Sequence, residues 1–183
     1  MNIRTATKGD AAGIADLLHT MVELRSVFSE SAAATAKIVE RNLQLAVGSD
    51  TSMILVAENA GGEIAGYCAV HWVPFLFQPG GEAYLTELFV RPPDTGKRIG
   101  TSLLDSVIAE ARRRGCARIS LLNGRDSEAY RRNFYAQRGW IERDRMSNFV
   151  FPLSNSQKRV SLLTSSGPRN EAAGPEGARG RGG

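Results

Sequence analysis

The sequence predicts a mixed fold of the α/β or α+β class, in which helices flank a mixed central sheet. Two patterns predict this class: an antiparallel hairpin in the middle of the chain, and a strand–helix–strand run after it. The composition agrees with it. The 183 residues are 42% hydrophobic and 23% charged, which is typical of one globular domain with its own core.

The N-terminal quarter predicts one strand and two helices. Residues 2–6 have the pattern of a short strand. Asp10 is a residue type that caps helices, and the helix after it is expected to extend to about Arg25. A second helix is expected to begin at Ser29 or Ser31, because serine is also a preferred helix cap.

Three strands are predicted in the middle of the chain. Residues 53–58 and 63–73 are rich in apolar and β-branched side chains, and Asn-Ala-Gly-Gly at 59–62 is a hairpin turn between them. A Pro- and Gly-containing loop follows at 74–81. Residues 82–90 then predict the next strand.

The rest of the predicted domain alternates between helix and strand. Apolar residues in 100–114 recur at helical spacing, and Gly115 ends that helix. A strand is predicted at 117–122 and a helix at 127–138. Residues 146–153 predict a last strand.

The formal net charge of +4 is concentrated in the C-terminal segment. Residues 154–183 hold five basic and two acidic side chains and therefore carry +3, which leaves +1 for residues 1–153. The segment is rich in Gly, Ser, Pro and Arg, so we expect it to be disordered. A domain at 1–153 with a charge of +1 does not predict a specific nucleic-acid partner.

The cysteine count and the hydropathy pattern exclude several classes of protein. Cys68 and Cys116 are too few for a disulfide framework or a four-ligand zinc site. The densest apolar run, at 72–77, is far shorter than a membrane span. Polar residues at 8–10 argue against a signal peptide. We therefore expect a cytoplasmic protein that binds neither a membrane nor a metal.

Residues 88–104 run from a strand through a turn and a loop into a helix. The free N–H groups at a helix N-terminus attract anions. Gly96 and Gly100 permit close approach of a ligand to the backbone, while Lys97 and Arg98 add positive charge. The segment contains neither a Walker loop nor a dinucleotide-binding fingerprint. It predicts a pyrophosphate site, and an ordinary strand–turn–helix connection is the alternative.

This segment resembles the signature of the GNAT superfamily of N-acetyltransferases, Val-x-Pro-x-x-Arg/Gln-x-x-Gly-x-Gly/Ala followed by a helix. Val90 and Pro92 match its first two defined positions, and residues 95–100 match its pyrophosphate loop. Thr95 stands where the family has Arg or Gln, and Arg98 stands where it has the middle Gly. The departure at Thr95 removes a side-chain donor, and the departure at Arg98 keeps its backbone N–H provided that the backbone there is helical.

A second resemblance lies downstream, at the spacing that the family shows. Phe-Tyr-Ala-Gln-Arg-Gly-Trp at 134–140 is similar to the family element Phe-Tyr-x-x-x-Gly-Phe/Trp, with Glu128 in place of the usual Asn. Together with the N-terminal segment 4–10, the resemblance covers about residues 1–153. It implies that this range is a GNAT-like domain.

The resemblance implies a mostly antiparallel sheet that splays between its fourth and fifth strands, where the pantetheine arm of acetyl-CoA enters. Acetyl-CoA is the implied cosubstrate, without a metal. A backbone N–H near Phe89 or Val90 is expected to meet the thioester carbonyl. The residues expected to bind the cofactor are Leu88, Phe89, Val90, Thr95, Gly96, Lys97, Arg98, Ile99, Gly100, Thr101 and Tyr135.

Two side chains are the candidates for proton transfer. Tyr135 matches the family tyrosine near the thioester sulfur and is expected to act as general acid; a packing role is the alternative. Glu87 is a carboxylate in a strand with apolar flanks, which predicts burial and favours a general base. A structural ion pair and a ligand for the substrate amine are the alternatives for Glu87.

These inferences predict an acetyltransferase that acts on a primary amine of a small molecule by direct attack in a ternary complex. A protein or peptide amine is the alternative acceptor. Another interpretation is a regulatory module that binds CoA but is catalytically weak, because Thr95 and Arg98 depart from the family signature. A tRNA-directed transferase is disfavoured by the charge of +1 on residues 1–153. The family resemblance also suggests that two copies of the chain could form a homodimer through residues 146–153.

Overall fold

The computed structural model describes residues 1–21, 24, 31–151 and 153. The chain divides into two compact units, Met1–Ser147 and Asn148–Gly183. Every helix and strand of the described residues lies in the first unit. In chain order they are β1 (Asn2–Thr5), α1 (Ala11–Thr20), α2 (Ala32–Ala46), β2 (Ser52–Glu58), β3 (Ile64–Val73), β4 (Glu82–Val90), α3 (Ile99–Arg113), β5 (Arg118–Leu121) and α4 (Glu128–Arg131).

One mixed sheet of five strands forms the centre of the first unit, in the order β1-β2-β3-β4-β5. The first four strands pair antiparallel, and β5 pairs parallel with β4. The mostly antiparallel α/β fold expected from the sequence is therefore confirmed. The parallel pair needs a crossover, which α3 supplies between β4 and β5.

Two apolar clusters cover the two faces of the sheet. On one face the buried side of α3, represented by Leu103 and Val107, packs against Val70 and Leu85. On the other face α1 and α2 pack against a cluster that includes Tyr67. The sheet therefore separates an α3 face from an α1–α2 face, and both faces border the site described below.

The N-terminal helices begin where serine and aspartate stand in the sequence. Asp10 immediately precedes α1 but does not cap it with its side chain, because its carboxylate accepts hydrogen bonds from Arg4 and from the Thr7 N–H. The Ser31 hydroxyl accepts a hydrogen bond of 3.3 Å from the Ala34 N–H at the start of α2. Ser31 is therefore the cap of the second predicted helix. The predicted extension of the first helix to about Arg25 is wrong, because α1 ends at Thr20 and Met21 takes an extended backbone. The other candidate cap, Ser29, lies outside the described residues.

A β-bulge interrupts the pairing of β4 with β3. Ala69 lies opposite Glu87 and Val70 lies opposite Leu85, so Thr86 has no partner in the register. An extra residue in one strand reverses which face the following side chains occupy. Leu85 before the bulge therefore packs on the α3 face, whereas Glu87 after it lies on the side of Tyr67.

The parallel pairing between β4 and β5 stops halfway along β4. It runs from Glu82 opposite Arg118 to Leu85 opposite Leu121, and residues 86–90 have no partner on this edge. Strand β5 ends at Leu121 and the chain leads into Asn-Gly at 123–124, residues that favour turns. The sheet is consequently open between the second half of β4 and the end of β5.

The helix predicted at 127–138 is broken in the structure. Helix α4 ends at Arg131, and Asn133 takes a left-handed backbone with φ of 53°. Asparagine tolerates this conformation better than most residues. The Phe134 N–H then donates to the Ala129 carbonyl, and a 3₁₀ turn at Ala136–Arg138 follows. The prediction of one continuous helix is wrong, and the break sets the direction of the side chains after it.

The strand predicted at 146–153 is also wrong for the described residues 146–151 and 153, which carry no strand. Asn148 has low strand propensity and Pro152 lacks an N–H donor. Only three apolar residues, 149–151, remain between them, and strands usually need more. The predicted tail at 154–183 lies outside the described residues, and the domain boundary at residue 153 stays a prediction.

Candidate functional site

A cleft of about 800 Å³ lies along the unpaired half of β4. Its walls come from residues 85–90, from part of the loop and first turn of α3 within 92–101, and from part of the segment 121–138. It exists because β4 extends beyond the last residue that pairs with β5. The cleft is the gap in the sheet, extended to the N-terminus of α3.

Most of the side chains singled out in the sequence lie together in this cleft. It is lined by Glu87, Leu88, Phe89, Val90, Thr95, Gly96, Arg98, Ile99, Gly100, Thr101 and Tyr135. Lys97 does not line it, and its ammonium is bound at 2.7 Å to the carboxylate of Asp94. The structure therefore brings together every predicted site residue except Lys97.

The register of β4 decides which backbone N–H groups face the gap. The Arg91 N–H donates to the Ala65 carbonyl of the β3 side at 2.8 Å. Alternate residues of a strand direct their N–H groups to opposite edges, so Phe89 also faces β3. The N–H groups of Leu88 and Val90 then face the open edge toward the cleft. Of the two donors expected from the sequence, the register favours Val90 over Phe89 and adds Leu88.

The N-terminus of α3 opens into the same cleft. No side chain caps it, and the residue that precedes its first turn, Arg98, has a left-handed φ of 64°. Gly96 has a φ of 87°, which glycine adopts without strain. A Cβ on Gly100 would meet Val90 at 3.4 Å and Phe134 at 3.6 Å, which is ordinary van der Waals contact, so this position lies close to both side chains. Uncapped N–H groups at a helix N-terminus are suited to bind an anion.

Tyr135 lies on the α3 side of the gap within an aromatic group. Its ring packs edge-on against Phe134, with centroids 4.9 Å apart, and against Trp140 at 5.5 Å. Burial raises the pKa of Tyr135 to about 12. The phenol is therefore protonated at neutral pH and has a proton to donate.

Glu87 lies on the α1–α2 side of the gap and is exposed, contrary to the expected burial. The bulge at Thr86 and the missing β5 partner leave this part of the strand open. The Tyr67 hydroxyl donates a hydrogen bond of 2.6 Å to Glu87 Oε2. Tyr67 is only 4% exposed, and burial raises the pKa of its hydroxyl well above the ordinary value. A buried hydroxyl, that of Tyr67, thus hydrogen-bonds the exposed carboxylate of Glu87 and orients it.

The sequence reasoning missed one charged residue at the α3 N-terminus. Arg138 lines the cleft, and its Nη2 donates to the Thr101 hydroxyl at 2.5 Å. This contact depends on the break at Asn133, which the helical pattern did not reveal. No short-range signal in the sequence indicates that residue 138 reaches the first turn of α3.

Two features are absent from the described residues. These residues contain no group of three or more His, Cys, Asp or Glu side chains that could hold a metal ion. Within the same residues, no helix is long and apolar enough to cross a membrane.

Comparison with known proteins relates the whole cleft to one family. A family model described as "Acetyltransferase (GNAT) family" matches residues 18–140. Thialysine N-epsilon-acetyltransferase from Bos taurus is 30% identical over 127 residues, which cover 65% of this chain and 72% of the bovine protein. The range 18–140 that the family model matches includes the α3 loop and Tyr135.

Solved structures share the architecture. A transcriptional regulator from Bacillus halodurans C-125 superposes with a TM-score of 0.72 at 26% identity, covering 82% of this chain and 99% of its own. A ribosomal-protein-alanine N-acetyltransferase from Brucella melitensis biovar Abortus 2308 has a TM-score of 0.65 at 20% identity, with 83% and 99% covered. At 20% identity, the second likeness concerns the fold alone.

Proposed function

The chain belongs to the GNAT acetyltransferase family and is an acyltransferase, and we propose that it moves the acetyl group of acetyl-CoA to a primary amine of a small molecule. The observation that carries the proposal is the continuity of the cleft. One opening joins an uncapped helix N-terminus to a gap in the sheet with Tyr135 on one side and Glu87 on the other. Acetyl-CoA supplies an activated thioester, and this chain supplies binding, orientation and proton transfer.

The dimensions and polarity of the cleft support this cosubstrate. The uncapped N–H groups of Ile99, Gly100 and Thr101 suit a pyrophosphate, because a helix N-terminus carries partial positive charge. The gap beside residues 86–90 suits a narrow amide-containing arm, which unpaired strand N–H and C=O groups bind as another strand would. In this proposal Leu88 and Val90 donate their N–H groups to the thioester carbonyl.

Glu87 and Tyr135 complete the proton transfers. Glu87 removes a proton from the acceptor amine, whose nitrogen forms a bond to the acetyl carbon as the C–S bond breaks. Tyr135 gives its proton to the departing sulfur, and its raised pKa keeps that proton available at neutral pH. The two groups lie on opposite faces of the sheet, so the acceptor and the thiol need not occupy the same space.

Direct attack is supported by the state of the described thiols. Cys68 is fully buried, and burial raises its pKa to about 12, so it is not a nucleophile at neutral pH. Burial also raises the pKa of Cys116, which lies outside the cleft lining. An acyl-cysteine route therefore has no suitable group in the part of the chain that the structure describes.

The small-molecule acceptor is supported by the bovine relative, whose name describes acetylation of thialysine at its terminal amine. We propose an acceptor with a terminal alkylamine, since one exposed carboxylate at Glu87 matches one ammonium group. A protein amine is the alternative acceptor. One structural neighbour is named as a ribosomal-protein-alanine N-acetyltransferase, but its identity of 20% supports the shared fold alone.

Calorimetric titration of the purified protein with acetyl-CoA, desulfo-CoA and AMP tests the cofactor part of the proposal. Micromolar binding of the first two ligands, and much weaker binding of AMP, is the expected result. Failure of acetyl-CoA to bind would reject transferase activity and favour a module that binds a protein partner.

A screen of terminal alkylamines with detection of free thiol tests the reaction. We expect Glu87→Gln and Tyr135→Phe each to lower kcat at least about 10-fold, in the range of general acid–base catalysis, with acetyl-CoA affinity retained. Glutamine keeps an acceptor for Tyr67 and therefore preserves the local contact. Release of thiol with peptide amines alone would transfer the proposal to a protein acceptor.

A further inference from the structure

The family signature places a cationic or amide side chain at the start of the pyrophosphate loop, and this chain has Thr95 there. Thr95 lines the cleft but carries no charge. The neighbouring Lys97 does not compensate, because its ammonium is paired at 2.7 Å with the buried carboxylate of Asp94. Of the two cations of the loop, Arg98 therefore lines the cleft and Lys97 does not.

Arg138 brings a guanidinium to the same helix N-terminus from another direction. Its Nη2 donates to the hydroxyl of Thr101 in the first turn of α3, at 2.5 Å. Its side chain forms part of the cleft lining. The two residues are 37 positions apart, so the contact is a property of the fold and not of the loop.

The guanidinium is held in place by its own segment. Arg138 Cζ lies 4.1 Å above the centroid of the Phe134 ring, and Nη1 donates to the Phe134 carbonyl at 2.6 Å. Among the described residues no carboxylate pairs with it. A positioned guanidinium without an acidic partner is well suited to bind phosphate oxygens.

We propose that Arg138 supplies the cation for the cofactor pyrophosphate that the family signature assigns to the position of Thr95. This inference rests on the proposed use of acetyl-CoA and adds the residue that replaces the missing loop side chain. The left-handed turn at Asn133 makes the replacement possible, because it ends α4 and leads the chain back toward α3.

The test is the dissociation constant of acetyl-CoA, measured by calorimetry on the full-length protein. Arg138→Gln removes the charge and keeps a polar side chain; we expect binding to weaken about 10-fold, as for loss of one charge-assisted contact. Arg131→Gln is the matched control, because Arg131 lies on α4, is exposed and does not line the cleft. It should bind acetyl-CoA as the wild type does.

A second substitution tests whether the two positions are interchangeable. Thr95→Arg restores the cation of the family signature and should recover most of the affinity lost in Arg138→Gln, while adding little to the wild type. Such non-additivity is the expected sign of two groups that serve one ligand group. Failure of Thr95→Arg to restore binding would overturn the replacement.

Further outcomes separate this inference from the proposed function. If the wild type does not bind acetyl-CoA, the proposed function fails and the inference fails with it. If the wild type binds and Arg138→Gln binds equally well, only the inference fails. Dephospho-CoA should show the same loss on substitution, whereas a loss confined to ligands with the 3′-phosphate would overturn the pyrophosphate assignment. Thermal unfolding of each variant verifies that it is folded.

Discussion

The Tyr67 hydroxyl and the Glu87 carboxylate form a contact between a buried donor and an exposed acceptor. Burial raises the pKa of Tyr67, so its hydroxyl remains a donor across the physiological pH range. A carboxylate that accepts such a bond loses rotamer freedom and keeps its second oxygen for a ligand. We therefore infer that Tyr67 positions Glu87 toward the acceptor.

Substitution of Tyr67 by Phe should reduce kcat/KM for the amine about 10-fold, because a hydrogen bond to a charged group contributes about 1.5–3 kcal/mol. The dissociation constant of acetyl-CoA should not change, since the contact lies on the α1–α2 face. Steady-state kinetics and calorimetry measure the two effects. Tyr84→Phe is the control, because Tyr84 lies on β4, the strand of Glu87, but outside the cleft. Equal weakening of both substrates would show that Tyr67 acts only on the fold.

At the scale of elements, ion pairs of Arg4 stabilise the junction of β1 and α1. Arg4 donates two hydrogen bonds to the Asp10 carboxylate, at 2.8 Å and 2.6 Å, and the Thr7 N–H donates a third at 2.7 Å. Arg4 also pairs with Glu58 on β2 at 2.6 Å. One strand, its neighbour and the first helix are thereby joined at one end of the sheet.

The pH dependence of stability should reflect this junction. The hydrogen bonds from Arg4 lower the pKa of Asp10 from 3.8 to about 2, so the charged carboxylate stabilises the fold above pH 4, and this contribution is lost as pH falls toward 2. Asp10→Asn should lower the free energy of unfolding by about 2 kcal/mol at pH 7 and by much less near pH 2. Urea unfolding across this pH range measures it.

Asp105→Asn provides the control for that series. Asp105 is exposed on α3, and no ion pair of the described residues involves it. Its substitution should change stability little at any pH. A loss for Asp10→Asn of equal size at pH 7 and pH 2 would contradict the assignment of the contact to the charged form.

Most elements could be predicted because their signals are local. The hairpin turn, the apolar alternation and the helical spacing before Gly115 fixed β2, β3, β4 and α3 to within about a residue at each end. The errors arose where distant contacts or backbone conformation decided the outcome. Asn133 broke a helix whose spacing was regular, and residues 146–151 formed no strand despite their apolar run.

The sequence predicted which residues line the candidate site, but not how they are arranged in space. The signature loop identified the α3 N-terminus because glycine and helix-start patterns are contiguous in sequence. The exposure of Glu87 depends on the bulge at Thr86 and on where β5 ends, neither of which leaves a local signal. The approach of Arg138 to Thr101 requires the tertiary fold.

At the scale of the whole molecule, the gap between β4 and β5 opens the sheet to both of its faces. Tyr135 lies with the α3 cluster, and Glu87 lies on the side of Tyr67. Donor and acceptor are thus expected to be bound together before any bond changes. This arrangement favours one transfer step over a mechanism with an acylated protein.

Initial rates measured with both substrates varied should therefore give double-reciprocal lines that intersect. The reason is that both substrates must occupy the cleft at once, and no described thiol is available to hold the acetyl group. Parallel lines, or acetylated protein detected by mass spectrometry in the absence of an amine, would rule out direct attack. The Tyr135→Phe variant should keep the intersecting pattern at a lower rate.

The bulge at Thr86 divides β4 into two segments with different structural surroundings. Before it, Leu85 and its neighbours are enclosed by β3, β5 and α3, so a change of side chain there alters packing. Beyond it, Thr86 and Glu87 border solvent and the cleft, with no β5 neighbour. Substitutions at 86 and 87 should consequently disturb packing less than substitutions before the bulge, so one inserted residue separates the part of β4 that maintains the fold from the part that borders the cleft.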